Sequence, residues 1–155
     1  MGKIYTAMGL MSGSSLDGVD VSIIESDGNK EFRSILDRYF EYDKELAQRI
    51  LVLRGKITDK EKLNKYLSEI KDIERKITLF HAEAIKETLA MSKSSVDLIG
   101  FHGQTIFHDS EKKITKQLGD GKLLSQLTKK MVVYNFRKND IENGGQGAPL
   151  TPIFH

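Results

Sequence analysis

A short polar segment between two apolar runs constrains the fold of this chain more than any other feature. Residues 4–10 are mostly apolar, and residues 19–25 alternate apolar with polar side chains, which is the period of a strand. The segment between them is rich in serine, glycine and aspartate, the residue types of tight turns. The sequence therefore predicts a β-hairpin at the start of the chain.

The polar segment also carries groups that can bind a phosphate. Its serine hydroxyls can donate to an anion, and its glycines let the backbone come close to one. The residues concerned are Ser12, Gly13, Ser14, Ser15 and Gly18. Asp17 and Asp20 can orient a hydrated metal ion. Taken alone, the segment fits a phosphate-binding loop and an ordinary polar turn equally well.

Composition limits the class of protein. A chain of 155 residues with 39% hydrophobic side chains is expected to form one domain with a core. The net charge of +2 does not favour nucleic acid or an anionic membrane as a partner. The sequence has no cysteine, which excludes disulfides and thiolate chemistry, and it shows neither a signal peptide nor a membrane-spanning run. A cytoplasmic location is expected.

Three strands and then two helices are expected in the first half. Residues 32–42 follow a turn and are interpreted as a third strand. Apolar residues then recur at helical spacing up to Gly55, which is expected to separate two helices. Residues 58–61 form a capping-box pattern that begins a longer amphipathic helix reaching residue 89. His81, beside its apolar stripe, is interpreted as a packed or surface histidine rather than a metal ligand.

Short elements in the second half make the expected fold α/β. Residues 96–101 fit a buried parallel strand that is reached through the helical crossover. Residues 114–118 fit a short strand, residues 122–127 a short helix, and residues 131–134 a further buried strand. The expected architecture is a mixed β-sheet with packed helices.

Four polar, glycine-containing segments follow the ends of the predicted strands. They are residues 12–20, 102–108, 117–121 and 135–149. Open α/β sheets bind ligands at such strand ends. Each segment also has a purely structural explanation, such as a turn held by Asp120 or a flexible connector of glycines. Because that explanation must hold four times, a shared ligand site is the favoured interpretation.

The residue types in these segments indicate phosphoryl transfer to a hydroxyl. Residues 13–15 and 144–147 offer backbone N–H donors for phosphates. Asp140 is the carboxylate best placed to act as a base. Arg137 can either pair with Asp140 and lower its pKa or clamp a carboxylate of the substrate. The chain has neither a Walker lysine motif nor the motif set of a protein kinase.

Taken in order, four motifs resemble the signatures of the anhydro-N-acetylmuramic acid kinase family. They span residues 9–20, 100–108, 117–121 and 136–150. The resemblance implies the first lobe of an actin-like, sugar-kinase (ribonuclease H-like) ATPase fold, with the nucleotide bound between two lobes. It also implies a reaction of peptidoglycan recycling, in which ATP, Mg²⁺ and water open the ring of 1,6-anhydro-N-acetylmuramic acid and phosphorylate its 6-hydroxyl.

The resemblance also implies roles for individual residues. Asp140 is similar to the base that activates the water. The first phosphate loop is implied to comprise Gly13, Ser14, Ser15, Leu16, Asp17, Gly18, Val19 and Asp20. The sugar side is implied to comprise His102, Gln104, Gln117 and Asp120. The chemistry described above adds Gly144, Gly145 and Gly147 on the phosphate side, Arg137 on the substrate side and Asp17 as the Mg²⁺ residue, through water.

The chain departs from the family pattern at two positions and in length. Ser14 replaces the usual threonine and keeps a hydroxyl, whereas Asn135 replaces an aspartate. If that aspartate helps to hold magnesium or to orient the arginine, activity is weakened here. Family members continue past residue 150 into a second lobe that completes the adenosine pocket. An apolar surface left uncovered at residues 149–154 is therefore expected.

The expected domain is a single truncated N-terminal lobe of residues 1–155, with the second lobe absent. Within it, residues 1–25 form the phosphate-loop hairpin, residues 43–91 the helical crossover and residues 96–155 the ligand loops. The chain alone is expected to have little or no kinase turnover. The alternative is an inactive remnant, or a split-gene subunit that binds ligand or a separately encoded second lobe.

Overall fold

The computed structural model describes residues 2–151. In this range six strands form one sheet, and five helices accompany it. The strands are β1 (Tyr5–Ser12), β2 (Gly18–Ser26), β3 (Phe32–Glu41), β4 (Leu98–Asp109), β5 (Ile114–Leu118) and β6 (Met131–Tyr134). The helices are α1 (Lys44–Lys56), α2 (Lys60–Lys65), α3 (Leu67–Met91), α4 (Gly121–Thr128) and α5 (Phe136–Glu142). None of these helices has the length and apolar character that crossing a membrane requires.

The sheet is mixed, as the sequence predicts. Its order is β3-β2-β1-β4-β5, and β6 pairs with β4 beside β5. The pairs β1–β2, β2–β3 and β4–β5 are antiparallel, whereas β1–β4 and β4–β6 are parallel. The parallel pairing of β1 with β4 requires a crossover connection, which α1, α2 and α3 provide. The predicted hairpin and helical crossover are both confirmed.

Strand β4 is longer than the sequence predicts. The strand expected at residues 96–101 runs instead from Leu98 to Asp109, so residues 102–108 are strand and not loop. Gly103 lies inside this strand with a φ of +77°. A glycine followed by polar residues has the composition of a loop, which explains the error. Along its length β4 pairs first with β6 and then with β5, so its second half is supported by a different neighbour.

Helices α1 and α3 pack against the sheet and enclose the core with it. The most deeply buried side chains of this core include Met8, Ile23, Ile50, Leu53, Ile73, Ile77, Ile85, Ile99 and Phe101. His81 of α3 is fully buried among them, with its ring centroid 4.9 Å from that of Phe101. His81 is therefore packed, which is one of the two environments expected for it.

The helix boundaries differ from the predicted ones in three places. Gly55 lies inside α1, so this glycine does not separate two helices. The cap of α2 is Asp59 and not Thr58, because the Asp59 carboxylate accepts the Lys62 N–H at 2.9 Å. The predicted long helix is broken at Tyr66, between α2 and α3. The apolar rhythm continues across this break, so periodicity alone does not detect it.

Strand β6 is not the buried strand that the sequence predicts. Met131 and Val133 are 67% and 43% exposed. Among the described residues β6 pairs with β4 alone, and α4 packs beside it at Tyr134, so only alternate side chains of β6 are partly buried. The short apolar run has the composition of a core strand, yet one of its faces is open to solvent.

We expect Gly103→Ala to destabilise the fold. A β-carbon at this position would collide with the Leu118 carbonyl oxygen, and a φ of +77° is unfavourable for alanine. The expected loss is about 2 kcal/mol in the free energy of unfolding, measured by urea denaturation. Gly55→Ala is the control: no atom lies within 4 Å of the added carbon, so helix propensity should stabilise this variant by up to about 1 kcal/mol. Equal stabilities of the two variants would contradict this account.

Candidate functional site

The loop between β1 and β2 is partly packed into the core and partly exposed. Leu16 has a φ of +60° and is 3% exposed, and its N–H donates to the Gly13 carbonyl at 3.3 Å. Ser14 and Ser15 are exposed, and their backbone N–H groups donate to no acceptor within residues 2–151. The loop therefore offers an anion two free N–H groups and the Ser14 hydroxyl.

Ser12 lies below this loop in a buried chain of hydrogen bonds. His81 Nδ1 is 2.7 Å from the Ile77 carbonyl, which can only accept, so Nδ1 carries the proton and Nε2 is an acceptor. The Ser12 hydroxyl therefore donates to His81 Nε2 at 3.4 Å and accepts from the Tyr42 hydroxyl at 2.8 Å. Burial lowers the pKa of His81 to about 4 and raises the pKa of Tyr42 to about 12, so both are neutral at neutral pH. The Ser12 hydroxyl is used in the interior and not for an anion.

Gln104 connects strand β4 to the same loop. Its side chain is fully buried, and its Nε2 donates to the Gly13 carbonyl at 2.9 Å. Its Oε1 is buried without a hydrogen-bond partner in the part of the chain that the structure describes. Gln104 therefore positions the loop, and the contact with a sugar that the resemblance implies would have to use Oε1.

His102 and Arg137 form a fixed pair on the face of β4 opposite to the core. His102 Nδ1 donates to the Gly103 carbonyl at 2.8 Å, so its Nε2 accepts the Nε–H of Arg137, also at 2.8 Å. Burial lowers the pKa of His102, and the charge of Arg137 lowers it further. Arg137 Nη1 also lies 3.5 Å from the Gly147 carbonyl. No ion pair joins Arg137 to Asp140 among the described residues, so this predicted pairing is wrong.

The Asp140 carboxylate is held by the glycine-rich segment that follows α5. The Gly147 N–H donates to Asp140 Oδ2 at 2.8 Å. The N–H groups of Gly144 and Gly145 donate to the carbonyls of Ile141 and Asp140, at 3.1 and 2.8 Å. A β-carbon on Gly145 would collide with the Asp140 carboxylate. The three N–H groups predicted to bind phosphate are therefore used within the protein, and Asp140 Oδ1 keeps no partner among the described residues.

Two cavities lie beside the His102–Arg137 pair, and the larger of them also reaches Asp140. The larger cavity, about 1230 Å³, lies against α5 and residues 148–151, and Asp140 lines it. The smaller cavity, about 400 Å³, lies between residues 11–14 and residues 105–108 of β4. The residues that line both are Met11, His102 and Arg137. A ligand that spans both cavities would contact the first loop at one end and Asp140 at the other.

Of the four predicted sugar contacts, His102 alone lines the two cavities, and Gln104, Gln117 and Asp120 line neither. The side-chain amide of Gln117, in β5, donates to the hydroxyls of Thr105 and Thr115 at 3.2 and 2.8 Å. The Asp120 carboxylate accepts the Leu123 N–H at 3.0 Å and caps α4. Neither Gln117 nor Asp120 lines either of the two cavities. For Asp120, the structure bears out the explanation that the residue holds a turn.

Asp17 is the acidic residue of the first loop whose side chain is placed to contact a cation. It is exposed, and its Oδ1 accepts the Ser15 hydroxyl at 2.6 Å, a bond that holds the pKa of Asp17 below its usual value. Asp20 is exposed but lies within β2, where Gly18 and Val19 are buried. Within residues 2–151 no three acidic or histidine side chains cluster closely enough to hold a metal ion. A magnesium ion here would depend on water or phosphate oxygens for most of its ligands.

Arg54 is a cavity residue that sequence reasoning does not find. It lies on α1, its Nη1 donates to the Ser14 carbonyl at 2.9 Å, and it lines the smaller cavity. A charged residue on an amphipathic helix is normally solvated, and its spacing carries no sign of a ligand. Only the packing of α1 beside the first loop brings Arg54 to this site.

The fold and the comparisons with known proteins agree on the class of protein. A mixed sheet with a helical crossover, and with two cavities lined by strand-end segments, is an α/β lobe of the sugar-kinase-like ATPase type. A family model described as anhydro-N-acetylmuramic acid kinase matches residues 5–155. The chain belongs to this family, and the resemblance carried by its four motifs is confirmed.

Curated proteins named anhydro-N-acetylmuramic acid kinase are similar to all or nearly all of the chain. One from Pelagibacter ubique is 58% identical over 155 residues, which are 100% of this chain and 41% of that protein. One from Agrobacterium fabrum is 42% identical over 100% of this chain and 42% of its own length. One from Zymomonas mobilis is 40% identical over 96% of this chain and 42% of its own length. The chain spans about two fifths of the length of these relatives.

We expect the stability of the protein to fall as the pH is lowered through the range in which histidine titrates. The folded pKa of His81 is about 4, below the value of 6.5 for a free histidine, so between these values the unfolded chain binds a proton that the folded chain does not. Stability is therefore complete above pH 6.5 and decreases towards pH 4. The free energy of unfolding should be lower at pH 5.5 than at pH 7.5 by about 1 kcal/mol from His81, and the lowered pKa of His102 acts in the same direction.

Urea denaturation of the wild type and of His81→Leu at both pH values checks this expectation. The variant loses buried hydrogen bonds and is less stable, but the difference between its two stabilities should shrink because the titrating group is gone. His108→Leu is the control and should keep the wild-type difference, since it retains His81. The same difference in His81→Leu as in the wild type would refute the role given to His81.

Proposed function

We propose that this chain is the N-terminal part of an ATP-dependent kinase that acts on 1,6-anhydro-N-acetylmuramic acid. The observation that carries the proposal is the position of Asp140, a carboxylate held at one oxygen and lining the larger of two cavities that meet at Arg137. Family membership over residues 5–155 supports the same conclusion. The reaction would open the anhydro ring with water and phosphorylate the 6-hydroxyl.

Asp140 would act as the base for the attacking water. Gly147 holds Oδ2, which fixes the orientation of the carboxylate, while Oδ1 has no partner within residues 2–151. A free carboxylate oxygen beside a cavity can accept a proton from a water molecule positioned there. The other predicted role of Arg137, binding a carboxylate of the substrate, remains open to it, because no acidic residue pairs with it in the described range.

The first loop would hold the phosphates of the nucleotide. The donor set fits this use, because Ser14 and Ser15 have free N–H groups and Arg54 lies beside them. Asp17, kept ionised by its bond from Ser15, would orient a hydrated Mg²⁺. When bound, ATP supplies the phosphoryl group and Mg²⁺ offsets its negative charge. The glycine segment after α5 would act on Asp140 rather than on phosphate.

The domain organisation that we propose is a single first lobe. In it, residues 1–25 form the phosphate-loop hairpin, residues 43–91 the crossover and residues 96–155 the ligand segments. Exposed apolar side chains lie at the larger cavity and on the neighbouring strand, as expected for a face that a second lobe would cover. They are Met11, Met131, Val133 and Leu150. Of the apolar surface predicted at residues 149–154, Pro149 and Leu150 are exposed, and residues 152–154 lie outside the described range.

An inactive remnant or a split-gene subunit is the second candidate, and Asn135 favours it. This asparagine stands where the family pattern has aspartate, and it adopts a φ of +63° at the start of α5 without capping the helix through its side chain. Asparagine tolerates this left-handed conformation well, so the backbone accepts the residue, and it is the replacement of a carboxylate by an amide that favours this candidate. The cytoplasmic location expected from the sequence stays a prediction.

Fusion of residues 1–155 to the remaining part of the Pelagibacter ubique relative tests the proposal. We expect this fusion to phosphorylate 1,6-anhydro-N-acetylmuramic acid with ATP, and the unfused chain to show little or no turnover. Asp140→Asn should lower kcat of the fusion by at least about 100-fold, because an amide cannot take the proton from water. Asp72→Asn removes a carboxylate that pairs with Arg49 on the helical surface, and it should leave turnover unchanged.

The other outcomes separate the two candidates. A folded fusion without activity that gains turnover on Asn135→Asp would favour the remnant. Full activity of Asp140→Asn would refute the role of this carboxylate. Turnover by the fusion that does not depend on ATP would refute the kinase.

A further inference from the structure

The smaller cavity is lined by positive charge without a compensating acid. Arg54 and Arg137 reach it from α1 and α5, which are far apart in the sequence. None of the described residues lining this cavity is an aspartate or a glutamate. Neither arginine makes an ion pair within residues 2–151. Two unpaired guanidinium groups that share one recess favour a negatively charged occupant.

Arg54 is held in place by the first loop. Its Nη1 donates to the Ser14 carbonyl at 2.9 Å, and the side chain is half-buried. A guanidinium carries five N–H donors, so this single bond leaves most of them available. The free N–H groups of Ser14 and Ser15 lie on the same loop and add neutral donors beside this charge.

Arg137 is held in place from the other side. Its Nε donates to His102 Nε2 at 2.8 Å and its Nη1 lies 3.5 Å from the Gly147 carbonyl, so Nη2 keeps no partner among the described residues. Burial lowers the pKa of Arg137, which indicates that its charge is partly removed from water without a neighbouring carboxylate. An anion in the cavity would supply the missing compensation.

We propose that Arg54 and Arg137 together form an oxyanion site in the smaller cavity, and that the oxyanion belongs to the ligand of the reaction. This inference rests on the proposed function, since the two sources of such a group are a phosphate of the nucleotide and the carboxylate of the sugar acid. Arg54 is the new element: a helix whose sequence shows only an amphipathic pattern contributes a ligand-binding arginine. Its place beside Ser14 couples the first loop to the bound anion.

Titration of the 155-residue chain with simple anions tests the site without requiring activity. Inorganic phosphate and acetate are titrated while the side-chain Nε–H signals of the arginines are followed by NMR. We expect the Arg54 and Arg137 signals to shift, and Arg54→Gln to weaken binding of the preferred anion by about tenfold. Arg49→Gln is the matched control, because Arg49 lies on the same helix and pairs with Asp72 at 2.7 Å. It should bind as the wild type does.

Two further titrations identify the source of the oxyanion. Weaker binding of ATP with Mg²⁺ by Arg54→Gln indicates a phosphate. Weaker binding of N-acetylmuramic acid, with no effect on N-acetylglucosamine, which lacks the carboxylate, indicates the sugar acid. Either result supports the site. A folded wild-type chain that binds none of these anions, or equal affinities of Arg54→Gln and Arg49→Gln, overturns it.

Different results would refute the kinase proposal and the proposal of an oxyanion site. An inactive fusion protein whose first lobe still binds phosphate through Arg54 supports the oxyanion site and refutes the kinase proposal. An active fusion whose KM values for ATP and for sugar are both unchanged by Arg54→Gln supports the kinase proposal and refutes the oxyanion site.

Discussion

The pairing of strand β4 along both of its edges is the constraint on which the site depends. β1 pairs with residues 98–104 on one edge, while on the other edge β6 pairs with residues 98–101 and β5 with residues 104–109, so the backbone of β4 is held on both edges before Gly103 and again at Gln104. Phe101 therefore packs into the core while His102, the next residue, points to the opposite face. Gly103 changes the backbone direction with its positive φ, and Gln104 then reaches the Gly13 carbonyl. One strand thus positions both the first loop and Arg137.

The two glycine-rich segments of the chain differ in how their backbone N–H groups are used. In the segment after α5, the N–H groups of three glycines bind carbonyls or the carboxylate of the helix, so this segment is closed on itself and holds Asp140. In the first loop, Ser14 and Ser15 keep free N–H groups, and the packing below is carried by Leu16 and Ser12. A similar composition therefore builds a self-bonded support in one place and an exposed loop with free N–H donors in the other.

The sequence predicted those parts of the fold that local pattern encodes. The hairpin, the crossover and short α4 follow from alternation, helical rhythm and turn residues, and the motif order identified the family. The extent of β4 was missed because Gly103 and the polar residues after it resemble a loop until β5 pairs with them. The exposure of Met131 and the place of Arg54 depend on contacts between distant segments, which no local pattern records. The hydrogen bonds that the N–H groups of Gly145 and Gly147 donate to Asp140 cannot be predicted from composition either.

If the first loop, His102, Arg137 and Asp140 form one ligand site, as we propose, a ligand bound there must perturb all of them together. Titration of the ¹⁵N-labelled chain with 1,6-anhydro-N-acetylmuramic acid and with ATP–Mg²⁺ measures this, by mapping which backbone amides change their NMR signals. We expect the changes to concentrate at Ser14, Ser15, His102, Arg137 and Gly147. Changes confined to the outer face of α3, or the absence of any change in a folded chain, would refute a single ligand site.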